Sequence, residues 1–265
     1  MFNKAIFTIL ILSAIFTSSY ADDKIVTIST LGDYAPFCMA DEKHKIDQVI
    51  PVGKDAVGFR GYSWDVVRES FHEMGYTIHL SIRPWPRAVH NFKNNKTDIL
   101  FPTGVNEDRK KMFFFSETPI NQANFVVYVR STSTIKWKGL SSLKGLTIGV
   151  KTEFNYGDKW RANTQANKLG ISKIWQGFQM LDVGRIDGFL GYEANWDYTL
   201  RQHNWNHKFR KLPVFDSTEE YLVTMKSNAE GKELLKAFDR GKQILIQNGK
   251  YDEITRKWFG NSRSK

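Results

Sequence analysis

Arg109 carries the most specific chemistry in this sequence. Its guanidinium is a planar fork of donors that matches a carboxylate with two parallel hydrogen bonds. It follows Asn106, Glu107 and Asp108, an N-cap and an acidic first turn by residue type, and precedes Lys110 and Lys111. The structural alternative is a solvated charge on a helix face. Tyr34 lies in the proline-bearing loop Asp33 to Phe37 and Trp85 between two prolines that open a short helix, and flat rings offer contact area at little entropic cost. Thr152, Asn155 and the backbone N–H groups after them fit donors at a helix N-terminus. Glu153 and Glu193 are carboxyls that a cleft could use as general acids, and both equally fit solvated helix ends. His203 and His207 stand at i, i+4, a zinc spacing, but no glutamate lies between them and no third ligand is evident. Cys38 is the one cysteine, which excludes an intrachain disulfide and a cysteine-cluster metal site. Asn95-Lys96-Thr97 forms a glycosylation triplet of the kind common by chance. No glycine-rich phosphate loop and no Gly-x-Ser-x-Gly is present.

The elements that must position these groups alternate. Residues 24–29 are β-branched and alternating, the mark of a strand. Trp64, Val67, Phe71 and Met74 recur at helical spacing behind Ser63, and Gly75 ends that helix. Strands are predicted at 76–82 and 98–101, with a short helix opened by Pro84-Trp85-Pro86-Arg87-Ala88 between them. Residues 39–60 read as loop or hairpin. The alternation restarts with strands at 125–129, 146–150, 171–174, 186–190 and 221–225. Its helices are expected over 157–169, 176–183, 193–203, 233–247 and 251–259. Two α/β units of similar size without a flexible linker predict two lobes around a cleft.

The chain has 265 residues, 41% hydrophobic and 25% charged, which excludes a disordered protein. A mean hydropathy of -0.43 excludes a polytopic membrane protein. The formal charge is +10, with lysine and arginine spread along the chain, so a solvated basic surface is expected rather than a nucleic-acid partner. Lys4, the apolar run Ala5 to Phe16 and the small-residue site Ser19-Tyr20-Ala21 have the layout of a secretory signal peptide over 1–21. The apolar run is too short to span a bilayer, which takes about 20 residues.

Four segments in this order carry a resemblance: Tyr34-Ala35-Pro36-Phe37; Gly61-Tyr62-Ser63-Trp64-Asp65; Asp98-Ile99-Leu100 through Asn106-Glu107-Asp108-Arg109 to Phe115-Ser116-Glu117-Thr118-Pro119; and the tail from Asn248-Gly249-Lys250-Tyr251 to Trp258-Phe259-Gly260. Leu143 to Val150 and Gly184-Arg185-Ile186-Asp187-Gly188 add to it. Together they resemble the bacterial extracellular solute-binding proteins of family 3, over essentially the whole mature chain. The resemblance implies an α/β, two-lobed type II periplasmic-binding fold with two chain crossovers and an interlobe cleft. Lobe one is expected over 22–121 and 219–265, and lobe two over 122–218. The crossings fall near 119–124 and 216–221.

The resemblance also implies roles. Arg109 occupies the position of the family's carboxylate-binding arginine. Tyr34 and Trp85 would form aromatic walls, Arg87 a second anion contact, and Gly104 part of the same lining. In lobe two, the family's Gly-Thr-Thr loop is replaced by Lys151-Thr152-Glu153-Phe154-Asn155-Tyr156-Gly157, where Thr152 and Asn155 remain donors. The family's amine-binding acid falls at Tyr192, with Glu193 adjacent, and Ser63 stands where the helix signature has an acid. The implied function is capture of a small carboxylate-bearing ligand in the periplasm, by a monomer without a cofactor, for an ABC importer or a membrane sensor. The competing function is a dehydratase-like enzyme on the same fold, with Glu153 or Glu193 as acid. A structural or adhesion protein would show no closure around a small molecule.

Overall fold

The computed structural model describes residues 24–260; the expected signal peptide lies outside them. The first strands are β1 (Ile25–Thr30), β2 (Asp33–Tyr34), β3 (Cys38–Ala40), β4 (Asp47–Ile50) and β5 (Phe59–Arg60). Helix α1 (Tyr62–Glu73), β6 (Thr77–Ile82), α2 (Trp85–Lys93), β7 (Ile99–Gly104), α3 (Glu107–Met112) and β8 (Phe113–Phe115) follow. The long strand β9 (Asn121–Arg130) leads through a 3₁₀ turn to β10 (Thr147–Lys151), α4 (Gly157–Ala162), β11 (Asn167–Ile171), α5 (Ile174–Asp182), β12 (Gly188–Tyr192) and α6 (Glu193–Gln202). The chain closes with β13 (Phe209–Lys211), β14 (Asp216–Met225), α7 (Gly231–Gln247) and α8 (Lys250–Phe259).

The main strands run β11-β10-β12-β9-β14-β7-β1-β6-β4, and β2-β3-β5 form a separate small sheet. Each half has a parallel core, β6-β1-β7 on one side and β11-β10-β12 on the other. Two antiparallel strands join the halves: β9 lies against β12, β14 lies against β7, and Asn121–Phe125 pairs with Asp216–Glu220. This is the two-lobed type II architecture with two crossings.

Each lobe buries its own aromatic core. Trp64, Phe71, Phe92 and Phe101 are inaccessible in one, and Phe178, Phe189 and Trp196 in the other. At about 25 cal/mol per Å², each such ring stabilises its lobe by roughly 2–3 kcal/mol. Helix α7 crosses α1 at Gly241, where a Cβ would collide with the Ser70 carbonyl. That approach docks the C-terminal segment onto the first lobe.

Several elements differ from expectation: the strand expected at 171–174 lies at Asn167–Ile171, with α5 beginning at Ile174, the strand expected at 125–129 begins at Asn121, and the short strands β8 and β13 were not expected. The helix expected over 157–169 stops at Ala162, and Asn167–Ile171 is a strand parallel to β10. The Asn163 side chain accepts the backbone N–H groups of Gln165 and Ala166, a local turn that competes with helix continuation. The strand expected at 221–225 begins at Asp216. Asn106 caps α3 as expected, accepting the Arg109 N–H on its side chain at 2.8 Å.

Candidate functional site

In an open α/β sheet, ligands favour the crevice beyond the carboxyl ends of parallel strands. That is where the sequence turns polar and aromatic. Leu31 and Tyr34 follow β1, Trp85 follows β6, Arg109 follows β7, Phe154 and Asn155 follow β10, and Tyr192 ends β12. These residues, with Pro102, Gly104 and Glu220, line one cavity between the lobes. Its volume is about 10 Å³, room for about one water.

One wall is aromatic. Tyr34 lies 5.7 Å from Tyr192 and 6.0 Å from Phe154, centroid to centroid, both edge-on, and Phe154 lies 5.1 Å from Tyr192. The Tyr192 hydroxyl donates to the Asn155 carbonyl at 2.6 Å. Burial pushes the Tyr192 phenol well above its ordinary range, so it is neutral at physiological pH.

The charged groups sit opposite each other. The Arg109 guanidinium donates through Nη1 to the Gly104 carbonyl at 2.8 Å, and burial lowers its pKa from the usual value. Gly104 allows this crowding: a Cβ there would meet Asn155 Nδ2 at 3.1 Å and Thr218 Cγ2 at 3.0 Å. Glu220, on crossing strand β14, is 3% exposed. Its Oε2 accepts the Tyr34 hydroxyl at 2.6 Å and Asn121 Nδ2 at 2.5 Å, and Asn121 Oδ1 accepts the Ser63 hydroxyl at 2.8 Å. Burial pushes Glu220 up to about 7, against the lowering effects of Tyr34, Asn121 and the Arg109 charge.

The lobes touch around this cavity. Trp85 Nε1 donates to the Glu153 carbonyl at 3.1 Å, Asn155 Nδ2 to the Val105 carbonyl at 2.9 Å, and Asn195 Nδ2 to the Ala35 carbonyl at 2.9 Å. At the rim, buried Lys151 pairs with Asp33 at 2.8 Å, and Asp33 is 51% exposed.

The expected site residues separate into two groups. Arg109, Tyr34, Trp85, Gly104, Asn155 and Tyr192 converge on the cavity. Arg87 and Thr152 are exposed and outside it. Glu193 is turned away, with Oε1 on Lys211 Nζ at 2.7 Å and Oε2 on Asn124 Nδ2 at 3.1 Å. Burial alone would raise its pKa, but these partners hold it below the ordinary value. Glu153 is exposed and meets the opposite lobe through its backbone carbonyl. His203 stacks on Trp205, with centroids 4.4 Å apart, and no cluster of three metal-ligating side chains occurs among the described residues. Cys38 is buried and receives the Thr30 hydroxyl at 3.8 Å.

Glu220 escaped the sequence reading because it sits in the polar run Asp216-Ser217-Thr218-Glu219-Glu220, which reads as exposed. A signal was present. The apolar residues Leu222 and Val223 mark the strand in sequence, and Glu220 stands two residues before Leu222, on the same side by period-two alternation, although a register shift between Tyr221 and Val223 buries Val223 as well.

The L-cystine-binding protein TcyA of Bacillus subtilis is 23% identical over 242 residues, covering 91% of this chain and 83% of that protein. The solved substrate-binding protein of an amino acid ABC transporter superimposes with a TM-score of 0.70 at 20% identity, covering 89% of this chain and 99% of the other. A histidine kinase sensor domain similar to periplasmic binding proteins superimposes with a TM-score of 0.73 at 19% identity, covering 90% and 97%. At these identities the structural likenesses speak for the fold. The sequence model of the bacterial extracellular solute-binding proteins, family 3, matches residues 26–261, and the chain belongs to that family.

Proposed function

We propose that this protein captures a small carboxylate-bearing ligand, an amino acid or a related acid, between its lobes as they part, in the cleft that the closed form narrows to this cavity. The observation that carries the reading is Arg109: a buried guanidinium with one hydrogen bond to the Gly104 carbonyl, aimed into an aromatic-walled cavity built from both lobes. A charged fork in such a place fits a carboxylate, and the walls exclude the water that would weaken the pair. Closure is stabilised by contacts that exist only when the lobes meet, such as Trp85–Glu153 and Asn155–Val105. The lobes pivot on the paired stretch of β9 and β14, with lobe one over 22–121 and 219–265 and lobe two over 122–218. The protein works as a periplasmic monomer after removal of residues 1–21. It hands its ligand to an ABC importer, the setting of its amino-acid-binding relatives, or reports it to a membrane sensor.

The test is a thermal-shift and calorimetric screen with amino acids, small carboxylates, polyamines and aromatic acids. A ligand at 100 times its Kd adds about 2.7 kcal/mol of stability. Arg109→Ala should abolish binding of the carboxylate hit while the unliganded protein unfolds as before. Unchanged affinity in that variant removes Arg109 from the site.

One observation favours a second reading, a dehydratase-like enzyme. Glu220 is a buried acid held up to about 7 inside the cavity, the property of a general acid, whereas Glu153 is exposed and Glu193 is bound to Lys211. Consumption of a bound acid, lost in Glu220→Gln, would establish it. Recovery of the ligand unchanged after prolonged incubation would exclude it.

A further inference from the structure

The space between the lobes does not end at the Arg109 cavity. A groove of about 460 Å³ lies beside it, a size within the roughly 300–1,000 Å³ of small-molecule sites. The two share no lining residue, because the chain partitions them: Tyr34 lines the cavity, while Asp33 and Ala35 on either side of it line the groove. On the second lobe, Tyr192 belongs to the cavity, whereas Asn195, Tyr198 and Gln202 put one face of α6 on the groove. Asn195 Nδ2 donates along this partition to the Ala35 carbonyl at 2.9 Å. Lobe one also supplies Arg60, and lobe two Lys173 and Trp175, so the groove is whole only when the lobes meet.

The groove is chemically unfinished. Arg60 and Lys173 line it from opposite lobes, and neither forms an ion pair with a carboxylate among the described residues. Lys173 is the N-cap residue of α5, which has no side-chain cap, so the first N–H groups of that helix add positive potential at the same end. Asp33 is occupied by Lys151, and Asp41 is the one other acid of the lining, so positive charge is in excess. Trp175 is 42% exposed, with Lys173 Nζ 5.8 Å from its ring centroid, and the half-buried Tyr198 hydroxyl has no hydrogen-bond partner among the described residues. Asn195 is 1% exposed; its Nδ2 is spent on Ala35, and its Oδ1 has no partner among the described residues. A buried acceptor left unpaired is costly, so this oxygen marks a place for a donor that the protein does not supply.

We propose that the groove is a second ligand site, one that takes a small aromatic anion bearing a hydrogen-bond donor, a hydroxylated or indolic carboxylate. Arg60, Lys173 and the start of α5 attract the carboxylate, Trp175 and Tyr198 supply ring surface, and Asn195 Oδ1 accepts the donor. A cationic ligand is disfavoured, because it would meet Arg60 and Lys173 with Asp41 alone to balance them. The site does not depend on the Arg109 reading, yet it is coupled to the same motion. A ligand that bridges both lobes binds the closed form, so occupancy of either site strengthens the other by the same factor.

The experiment is calorimetric titration of the purified protein with 4-hydroxybenzoate and indole-3-acetate, beside benzoate, which lacks the donor, and indole, which lacks the charge. At least one of the two acids should bind with a Kd below about 1 mM. Its truncated counterpart should bind about 5-fold or more weakly, and the affinity of the acid should fall as salt is added. Arg60→Gln combined with Lys173→Gln should weaken the acid about 10-fold or more, and Trp175→Ala about 5-fold or more. All three side chains are exposed, so the variants should unfold at the wild-type temperature. In Arg109→Ala the acid should still bind, within about 3-fold of the wild type. No binding of either acid below about 1 mM, equal binding of the truncated counterparts, or full affinity in the double variant would each overturn the inference. So would loss of binding in Arg109→Ala alone, which would place the acid in the inner cavity. A carboxylate captured normally by Arg109→Ala sinks the Arg109 reading and leaves the groove untouched, so the two fail separately.

Discussion

Asn121 and Glu220 are joined twice, once as backbone partners across β9 and β14 and once by the 2.5 Å hydrogen bond between their side chains. Glu220 also pairs in register with Gly104, whose carbonyl receives the Arg109 guanidinium. The two charged groups of the cavity are thus referenced to the same three strands. Glu220 is held by strand register, and Arg109, on α3, is tied to the same register through the Gly104 carbonyl.

Glu220 makes stability depend on pH in a defined direction. Its pKa rises from 4.5 to about 7 on folding because it is buried. The native state therefore binds this proton more tightly than the unfolded chain does. The stabilisation is complete below 4.5 and is lost as pH rises through 7. The gap is worth roughly 3 kcal/mol. The unfolding temperature of the unliganded wild type should fall relative to that of Glu220→Gln by roughly 5–10 °C across this window. Parallel profiles for the two proteins would show that Glu220 titrates as an ordinary carboxyl.

Tyr34→Phe removes a donor that favours the ionised form of Glu220. The midpoint of the pH dependence should move above that of the wild type while the aromatic packing with Phe154 and Tyr192 persists. A chemical-shift titration of the Glu220 carboxyl carbon reads this directly; a midpoint at or below the wild-type value contradicts it.

Lys151→Met should weaken ligand capture without touching the ligand. The lysine reaches Asp33 on the opposite lobe while its stem is buried. Because Asp33 is half exposed and screened, the pair contributes about 1 kcal/mol or less to the closed form. Affinity should fall about 3- to 5-fold, and the difference from wild type should shrink at high salt. Equal affinities at low salt would show that the pair does not fasten the lobes.

Gly241→Ala separates folding from binding. A methyl group there collides with the Ser70 carbonyl and pushes α7 off α1. A cost of about 2 kcal/mol is expected, read as a lower unfolding temperature. Affinity measured well below that temperature should be unchanged, since Gly241 is remote from the cavity lining.

Much of this architecture is legible in residue patterns. The alternating β-branched run at the start, the Trp64–Phe71 helical stripe and the Asn106 cap each have a local physical cause, and each forms as local physics demands. The boundary after Ala162 was hidden because Asn163 ends the helix with its side chain, while the residues beyond it still tolerate helix. The site divides in the same way. Arg109, Tyr34, Trp85, Gly104, Asn155 and Tyr192 stand at strand ends that sequence can locate. Arg87 and Glu193 are near them in sequence but point elsewhere, because side-chain direction at a helix start turns about 100° with each residue, while Thr152 directly follows buried Lys151 at the end of β10, where successive side chains take opposite faces. Glu220 was hidden for a different reason: its burial comes from a strand crossing 99 residues away from Asn121 in sequence.

The position of Glu220 on the joined strands has a mechanical consequence. When two bodies swing about a common axis, points near the axis move least and points at the rim move most. Glu220 lies on the strand pair that both lobes share, and its partners Tyr34 and Asn121 belong to the first lobe and to that pair, so a swing of the second lobe leaves their contacts in place. The Asp33–Lys151 pair, by contrast, spans the two lobes and breaks when they part. A contact fixed on the shared strands and a contact broken by opening thus answer differently to the same swing, so only the second reports closure.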